Sequence, residues 1–261
     1  METEATGQRK IADRDVSAPE LDWIDEEVPR AARFDDTYFS RAGGLAETRH
    51  VFLGGNDLPA RFEGRSAFTI GELGFGTGLN FLATLSALKP LTVRPHLTFI
   101  SFELYPLTTA QLERALAAFP ELQEEADRLL AIWAPKPGWN RFDVAGASVR
   151  LGVGDARELI DGLQLDPQSA QGADLHKMAA ECSIAPVEAW FLDGFSPAKN
   201  PELWEADLLR KVGALTAPDG TLATYSAAGW VRRNLEAAGF TVEKRAGFAG
   251  KREMVTGRRQ P

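Results

Sequence analysis

The sequence contains very few of the residues that build disulfides and metal sites. Cys182 is its only cysteine, and only three of its 261 residues are histidines. One cysteine cannot close an internal disulfide, and so few scattered side chains cannot build an ordinary zinc site. No apolar run approaches the roughly 18 residues that span a bilayer, and the polar N-terminus METEATGQRKIADRDV lacks the apolar core of a secretory signal. We therefore expect a cytoplasmic protein without a metal site or a membrane segment.

The chain also lacks an even distribution of charge. Its formal net charge is −8, yet residues 199–261 contain 11 Lys and Arg against 7 Asp and Glu, so they carry +4 and residues 1–198 carry −12. A basic C-terminal part can contact the phosphates of a nucleic acid while the acidic part stays solvated. Ordinary solvated surface charge would produce the same asymmetry, so charge alone leaves both interpretations open.

Segments with strand and helix patterns alternate along the chain. This β-α-β order predicts an α/β fold with a mostly parallel sheet and helices on both faces. Strands are predicted at 66–73, 96–103, 187–195 and 220–226, a hairpin or a strand at 141–156, and an antiparallel terminal pair at 241–248 and 251–257. Helices are predicted at 79–89, 106–119, 120–133, 156–163, 201–215 and 229–240. We expect one domain at 34–257, a partly disordered N-terminal tail at 1–33 and a surface insertion at 165–185.

The stretch GELGFGTGLNFL places glycines at positions 74, 76 and 78, between a predicted strand and a predicted helix. A glycine-rich turn at this position lets a ligand touch the backbone, because a Cβ atom would collide with it. The dinucleotide fingerprint G-x-G-x-x-G would need its third glycine where this chain has Leu79. The observed spacing, G-x-G-x-G, is usual in S-adenosylmethionine-dependent methyltransferases, although a tight turn without any ligand would look the same.

Acidic residues follow the ends of other predicted strands. In parallel sheets these ends meet at one edge, where ligands bind. Glu103 closes the second strand and can accept hydrogen bonds from both ribose hydroxyls, although a glutamate there can also be simply solvated. Asp155 can accept the exocyclic amino hydrogens of an adenine, or it can cap the helix that begins at Ala156.

The segment DGFSPAKNPELW (193–204) carries the strongest chemical signal. Asp193 ends a strand, Gly194 and two prolines favour a bent and rigid loop, and Phe195 offers an aromatic face to a flat base. A carboxylate here can orient an amine and take up its proton, so that the nitrogen lone pair points at a methyl donor. The alternative for Asp193 is a turn or N-cap residue.

Seven stretches together resemble the methyltransferase domain of the MnmC family of bifunctional tRNA 5-methylaminomethyl-2-thiouridine biosynthesis proteins. They are FDDTYFS (34–40), ETRHVFLGGNDLPARF (47–62), GELGFGTGLNFL (71–82), SFELYPLT (101–108), WFLDGFSPAKNPELW (190–204), GTLATYSAAGWVRRNLEAAGF (220–240) and KREM (251–254). The resemblance implies a Rossmann-like class I methyltransferase that uses S-adenosylmethionine. It would methylate the amino group of 5-aminomethyl-(2-thio)uridine at the wobble position of tRNA.

The resemblance also implies roles for individual residues. Asp193 is the expected catalytic residue. The expected cofactor-binding residues are Gly74, Phe75, Gly76, Gly78, Asn80, Glu103, Asp155 and Ala156. The expected substrate-binding residues are Tyr38, Phe195, Lys199 and Arg252, with the tRNA anticodon stem-loop as the partner. Tyr38 can equally well pack an N-terminal strand, and an exposed lysine or arginine is an ordinary surface residue.

The bifunctional proteins continue into a flavin-dependent oxidase domain, whereas this sequence ends at Pro261 without a second G-x-G-x-x-G. We therefore expect the stand-alone form, for which a separate enzyme, or a route that yields aminomethyluridine directly, provides the amine. Two other function classes remain open at this point. An NAD-dependent Rossmann-fold oxidoreductase would use the same sheet and Glu103, and a non-catalytic cofactor-binding protein would keep the fold without turnover.

Overall fold

The computed structural model describes residues 17–166, 183–250 and 253–260. Their central element is an eight-stranded mixed sheet. The strands are β1 (Leu21–Ile24), β2 (Val28–Ala31), β3 (Asp36–Thr37), β4 (Ala67–Leu73), β5 (His96–Glu103), β6 (Gly138–Val144), β7 (Ala147–Val153), β8 (Gln164–Leu165), β9 (Ser183–Ile184), β10 (Val187–Leu192), β11 (Thr216–Thr224), β12 (Phe240–Ala246) and β13 (Glu253–Arg259). The α-helices are α1 (Gly44–Thr48), α2 (Leu79–Leu88), α3 (Thr109–Leu116), α4 (Gln123–Leu130), α5 (Ala156–Leu159), α6 (Ala206–Leu215) and α7 (Gly229–Ala237). A π-helical turn, Arg49–Gly54, follows α1, and short 3₁₀ turns lie at Ala60–Phe62, Pro120–Leu122, Ile160–Gly162 and Pro201–Trp204.

The large sheet has the strand order β12-β13-β11-β10-β4-β5-β7-β6. Its central strands β11, β10, β4, β5 and β7 pair in parallel, whereas β12 and β13 at one edge and β6 at the other are antiparallel. This arrangement confirms the predicted α/β fold, its mostly parallel sheet and its antiparallel terminal pair. The carboxyl ends of β4, β5, β7 and β10 therefore meet at one edge, where the glycine loop and the acidic residues follow them.

Apolar side chains cover both faces of the sheet. Successive side chains of a strand point to opposite faces, and in β10 Ala189 and Phe191 belong to one buried cluster while Trp190 and Leu192 belong to another. The first cluster contains the helices α2, α3 and α4, and the second contains α5, α6 and α7. The helices thus lie on both faces, as the sequence predicts.

Local residues determine where the helices near the site begin and end. Gly78 caps α2 in a left-handed conformation, and the helix ends just before Pro90, which cannot continue it. A capping box between Thr108 and Gln111 starts α3 at Thr109. The helix predicted at 106–119 is therefore shorter, and the one predicted at 120–133 begins as a 3₁₀ turn at Pro120.

Within the N-terminal tail predicted at 1–33, residues 21–24 and 28–31 form β1 and β2. These strands pair with each other and with β3 in a small antiparallel sheet. Contacts with α3 hold these N-terminal strands in place. The Arg114 guanidinium lies 4.0 Å from the ring centroid of Trp23, and the Gln111 side chain donates to the Pro19 carbonyl oxygen. Most of the insertion predicted at 165–185 lies outside the described residues, but its two ends pair as the short parallel strands β8 and β9.

Over the part of the chain that the structure describes, no helix has both the length and the apolar character needed to cross a membrane.

Candidate active site

A cavity of about 1220 Å³ lies at the carboxyl ends of the parallel strands. Ten of the predicted site residues line it: Tyr38, Gly74, Phe75, Gly76, Asn80, Glu103, Asp155, Ala156, Asp193 and Phe195. Gly78 and Lys199 do not belong to the lining, and Arg252 lies outside the described residues. Within the described residues, no group of three or more His, Cys, Asp and Glu side chains is arranged to hold a metal ion.

The glycine loop needs glycine mainly because of contacts within the protein. Gly74, Gly76 and Gly78 all have positive φ angles, of 83°, 54° and 70°. A Cβ atom on Gly74 would lie 3.0 Å from the Cα atom of Gly194, and one on Gly76 would lie 3.2 Å from the ring of Tyr38. These distances are tighter than ordinary van der Waals contacts, so the loop packs closely against the segment that follows β10 and against the N-terminal segment.

Glu103 is held at the end of β5 by backbone hydrogen bonds. The backbone N–H of Gly76 donates to its Oε2 atom at 2.8 Å, and the backbone N–H of Tyr105 donates to its Oε1 atom at 2.9 Å. Burial raises the pKa of Glu103 above its ordinary value, while these backbone hydrogen bonds oppose the rise. The carboxylate thus joins the glycine loop to β5, and its remaining lone pairs can accept hydrogen bonds from a ligand in the cavity.

Asp155 has the capping role that the sequence left open. Its side chain accepts from the backbone N–H of Arg157 at 3.0 Å, so it caps α5. The Arg157 guanidinium also donates to both carboxylate oxygens, at distances from 2.7 to 3.3 Å. Because Asp155 lines the cavity as well, the cap does not prevent a ligand contact.

Asp193 follows β10 directly and is held from two sides. Its Oδ1 atom accepts from the backbone N–H of Gly194 at 2.8 Å, and its Oδ2 atom accepts from the Asn80 side-chain amide at 2.8 Å. The next residues are fixed too, because the hydroxyl of Tyr225 donates to the Gly194 carbonyl oxygen at 2.7 Å and the Trp204 indole donates to that of Phe195. These hydrogen bonds hold the loop that presents the Asp193 carboxylate at the cavity.

The N-terminal segment 34–40 forms a wall of the cavity and packs against the glycine loop. Phe34 stacks on Phe195 with ring centroids 4.6 Å apart, and Tyr38 meets Phe195 edge to face at 5.2 Å. Asp36 accepts from the backbone N–H of Ser196 at 2.9 Å. Burial and the nearby Glu103 raise the pKa of Tyr38, so its phenol remains neutral. This wall of the cavity is thus aromatic. Tyr38 was predicted as a site residue from the family resemblance of the stretch FDDTYFS.

Lys199 does not reach the cavity. Its ammonium group contacts the Asp35 backbone oxygen and lies 3.6 Å from the Asp35 carboxylate and 3.9 Å from that of Asp36. It joins the loop after β10 to the N-terminal segment, and any contact with a phosphate would compete with these two carboxylates.

Several residues at the site were missed in the sequence. Glu72 lies fully buried in β4, where Asn80 donates to its Oε1 atom at 3.0 Å and the Ser101 hydroxyl donates to its Oε2 atom at 2.6 Å. A glutamate within the otherwise apolar strand SAFTIGEL was the available signal, since an isolated carboxyl group is costly to bury. Tyr225, which follows β11, lines the cavity together with Thr48, and no sequence pattern distinguished either of them.

The chain matches the model of a family described as S-adenosyl-L-methionine-dependent methyltransferase over residues 120–260. This match covers more than half of the chain, and the fold is a mostly parallel sheet with its cavity at the strand ends. The chain therefore belongs to this family of S-adenosylmethionine-dependent methyltransferases, and S-adenosylmethionine is its cofactor.

Two curated relatives and one solved structure show which methyltransferases this chain is similar to. The chain is 43% identical over 248 residues to the tRNA 5-methylaminomethyl-2-thiouridine biosynthesis bifunctional protein MnmC of Stutzerimonas stutzeri (strain A1501), covering 92% of this chain and 34% of that protein. It is 45% identical over 248 residues to the MnmC protein of Aeromonas hydrophila, covering 92% and 35%. The chain thus spans about a third of the length of these curated relatives. The crystal structure of MNMC2 from Aquifex aeolicus shares the fold, with a TM-score of 0.69 at 22% identity over 98% of this chain and 76% of that one.

Proposed function

We propose that this methyltransferase transfers a methyl group from S-adenosylmethionine to the amino group of 5-aminomethyl-(2-thio)uridine at the wobble position of tRNA. The names of the relatives support this acceptor, and the observation that carries the chemistry is the Asp193 carboxylate, held rigidly at a cavity with an aromatic wall. The substrate would be met in the cytoplasm, so we propose that location too.

The hydrogen-bond acceptors that line the cavity match the donor groups of the cofactor. Glu103 would accept hydrogen bonds from the ribose hydroxyls, Asp155 from the adenine amino group, and the neighbouring Phe75, Gly76 and Ala156 would line the nucleoside. The bound cofactor supplies an activated methyl group on a sulfonium centre, which carries a positive charge that acidic side chains stabilise. Gly78 does not line the cavity; its role is to end the glycine loop and cap α2.

Asp193 would orient the acceptor amine and remove its proton. An alkyl ammonium has no free lone pair, so the amine must be neutral before its nitrogen can form the new N–C bond as the methyl carbon leaves sulfur. The carboxylate can accept the proton lost by the amine and pass it to water, while the surrounding loop keeps nitrogen and methyl carbon in line. Phe195 and Tyr38 would stack near the extruded base.

The tRNA backbone would be held by basic residues of the C-terminal part, with the anticodon stem-loop as the partner. Arg233 on α7 is exposed, whereas Lys244 already pairs with Glu253 at 2.6 Å, so we expect Arg233 to contribute more. Arg252 stays a prediction from the family resemblance. A separate enzyme that releases a primary amine on the uridine would have to act first.

The nicotinamide oxidoreductase alternative is not favoured, because the family match is to methyltransferases. The non-catalytic alternative is less consistent with an acidic group held at the cavity, and an activity assay separates it from the proposal.

The test compares Asp193→Asn with wild type on a synthetic anticodon stem-loop that carries 5-aminomethyluridine at the wobble position. We expect methyl incorporation, measured by mass spectrometry of the nucleosides, to fall on the order of 100-fold or more, while affinity for S-adenosylmethionine stays near that of wild type. Asp207→Asn is the matched control, because Asp207 is exposed at the start of α6 and pairs only with the neighbouring Arg210 among the ion pairs of the described residues. Full activity of Asp193→Asn would reject the catalytic role, and a wild-type protein that methylates no stem-loop would reject the acceptor.

A further inference from the structure

The side-chain amide of Asn80 forms hydrogen bonds to three other side chains of the protein. The Thr48 hydroxyl donates to its Oδ1 atom at 2.9 Å. The other side of the amide must carry the hydrogens, because it faces the Asp193 carboxylate, which can only accept. Its Nδ2 atom donates to Glu72 at 3.0 Å and to Asp193 at 2.8 Å. An amide nitrogen has two hydrogens, so both are used on these two carboxyl groups.

Although Asn80 belongs to the cavity lining, little of its surface is open to a ligand. Asn80 is only 5% exposed, at the second residue of α2, and Glu72 beneath it is fully buried. We propose that Asn80 is a positioning residue rather than a cofactor ligand, and that Asn80 and Glu72 together orient the Asp193 carboxylate for methyl transfer. This inference rests on the proposed function of Asp193.

The arrangement has a simple physical logic. A carboxylate at the end of a strand can rotate about its side-chain bonds, and misplacement by about 1 Å can cost on the order of 100-fold in rate. The Asn80 amide ties one oxygen of Asp193 to a fixed point, and that point is itself fixed by Thr48 and by Glu72. Glu72 in turn is held by Ser101 on β5, so the chain of hydrogen bonds connects the catalytic loop to the neighbouring strands and to the N-terminal helix α1.

The charges at the site favour a shared donor. Glu72 and Asp193 bond to the same nitrogen atom, so their oxygens lie within two hydrogen-bond lengths, and two carboxylates so close repel each other. Burial raises the pKa of Glu72 well above its ordinary value, and the negative charges of Asp193 and Glu103 raise it further, against the hydrogen bonds from Ser101 and Asn80. This shift favours the neutral form of Glu72, which would keep the Asn80 bridge without a second charge beside Asp193.

Asn80→Asp tests this role because it keeps the shape of the side chain and replaces the shared donor by an oxygen. We expect kcat on the aminomethyluridine stem-loop to fall on the order of 100-fold, with the Kd for S-adenosylmethionine within about threefold of wild type. We expect Glu72→Gln to retain kcat within several-fold, because its amide oxygen can still accept from Asn80. Thr84→Val is the matched control, since Thr84 is buried on the same helix and its hydroxyl donates to the Asn80 backbone oxygen, not to the side chains of the bridge.

Two outcomes would overturn the inference. Wild-type kcat in Asn80→Asp would show that the donor is not needed. A large rise in its Kd for S-adenosylmethionine, with turnover restored at saturating cofactor, would make Asn80 a cofactor ligand. A wild-type protein that methylates no stem-loop would instead reject the proposed function, whereas the Asn80 bridge can still be tested in the free protein.

A second measurement needs no acceptor. In ¹⁵N–¹H spectra of the free protein, the two side-chain amide protons of Asn80 should both exchange slowly with solvent. Asp193→Asn should shift one of these protons and Glu72→Gln the other. If neither substitution moves an Asn80 proton, the shared bridge is rejected, whatever the acceptor turns out to be.

Discussion

Replacing Gly74 by alanine tests how tightly the glycine loop packs against the catalytic loop. Gly74 has a φ of 83°, and an added Cβ atom would lie 3.0 Å from the Cα atom and 3.2 Å from the backbone nitrogen of Gly194. Both neighbouring atoms belong to the backbone, so no side chain can rotate away to relieve the contact. Either the glycine loop or the segment after Asp193 has to move.

The expected loss of stability has two parts. A left-handed backbone costs an alanine about 1–2 kcal/mol, and forcing an extra carbon into a packed site costs about 1–3 kcal/mol more. The free energy of unfolding should therefore fall by about 2–5 kcal/mol. Gly146→Ala isolates the first part, because Gly146 has a φ of 84° in the β6–β7 turn and no atom within 4 Å of its added Cβ.

Urea titration of wild type and both variants measures the difference, with unfolding free energies obtained by linear extrapolation. We expect Gly146→Ala to lose about 1–2 kcal/mol and Gly74→Ala to lose clearly more. Equal losses in the two variants would refute the reasoning, since they would show that the contact with Gly194 adds nothing to the cost of the backbone conformation.

Two further predictions concern buried and capping carboxyl groups. Burial raises the folded-state pKa of Glu72, so its contribution to stability is complete below the unfolded-state value of about 4.3 and is lost as pH rises through the folded-state value. Glu72→Gln should therefore lower stability less at high pH than at low pH relative to wild type, as measured by urea midpoints across the pH range, and parallel pH curves would contradict this. Asp155→Ala should remove the N-cap of α5 and cost about 1 kcal/mol, while Asp155→Asn should retain most of the cap; equal urea midpoints for these two variants would argue against a capping role.

Local patterns in the sequence were sufficient for the central sheet and for the loop ends. Apolar runs that end at glycine or at an acidic residue predicted β4, β5 and β10, because buried parallel strands are continuously apolar and their ends carry the polar groups. The same reasoning predicted that Glu103 and Asp193 lie at one cavity, since parallel strands place their carboxyl ends at one edge.

The N-terminal strands could not be predicted in this way. LDWI and VPRA are four residues each and have no clear alternation, so their order depends on contacts with distant parts of the chain. Trp23 packs against Arg114 of α3, and the two residues are far apart in the sequence. Local propensity contains no information about such a contact.

The hydrogen-bond partners at the site were equally hidden. Asn80 was predicted to bind the cofactor, whereas its amide joins Glu72 and Asp193, and the latter is 113 positions away. Lys199 was predicted to contact the substrate, yet it pairs with Asp35 and Asp36. Sequence reasoning found which residues come to the site, but the partner of each side chain depends on the folded geometry.

Residues 34–40 form a wall of the cavity, although they do not belong to the eight-stranded sheet. A shortened protein beginning after Ser40 would keep all eight strands of that sheet, but it would lose Phe34 and Tyr38 beside Phe195 and the carboxylate that holds the Ser196 amide. Its buried Phe119 would also lose the ring of Phe39. Anyone who trims this enzyme for crystallisation or fuses it to another domain should therefore count the N-terminal strands as part of the working unit, even though the parallel sheet begins only at Ala67.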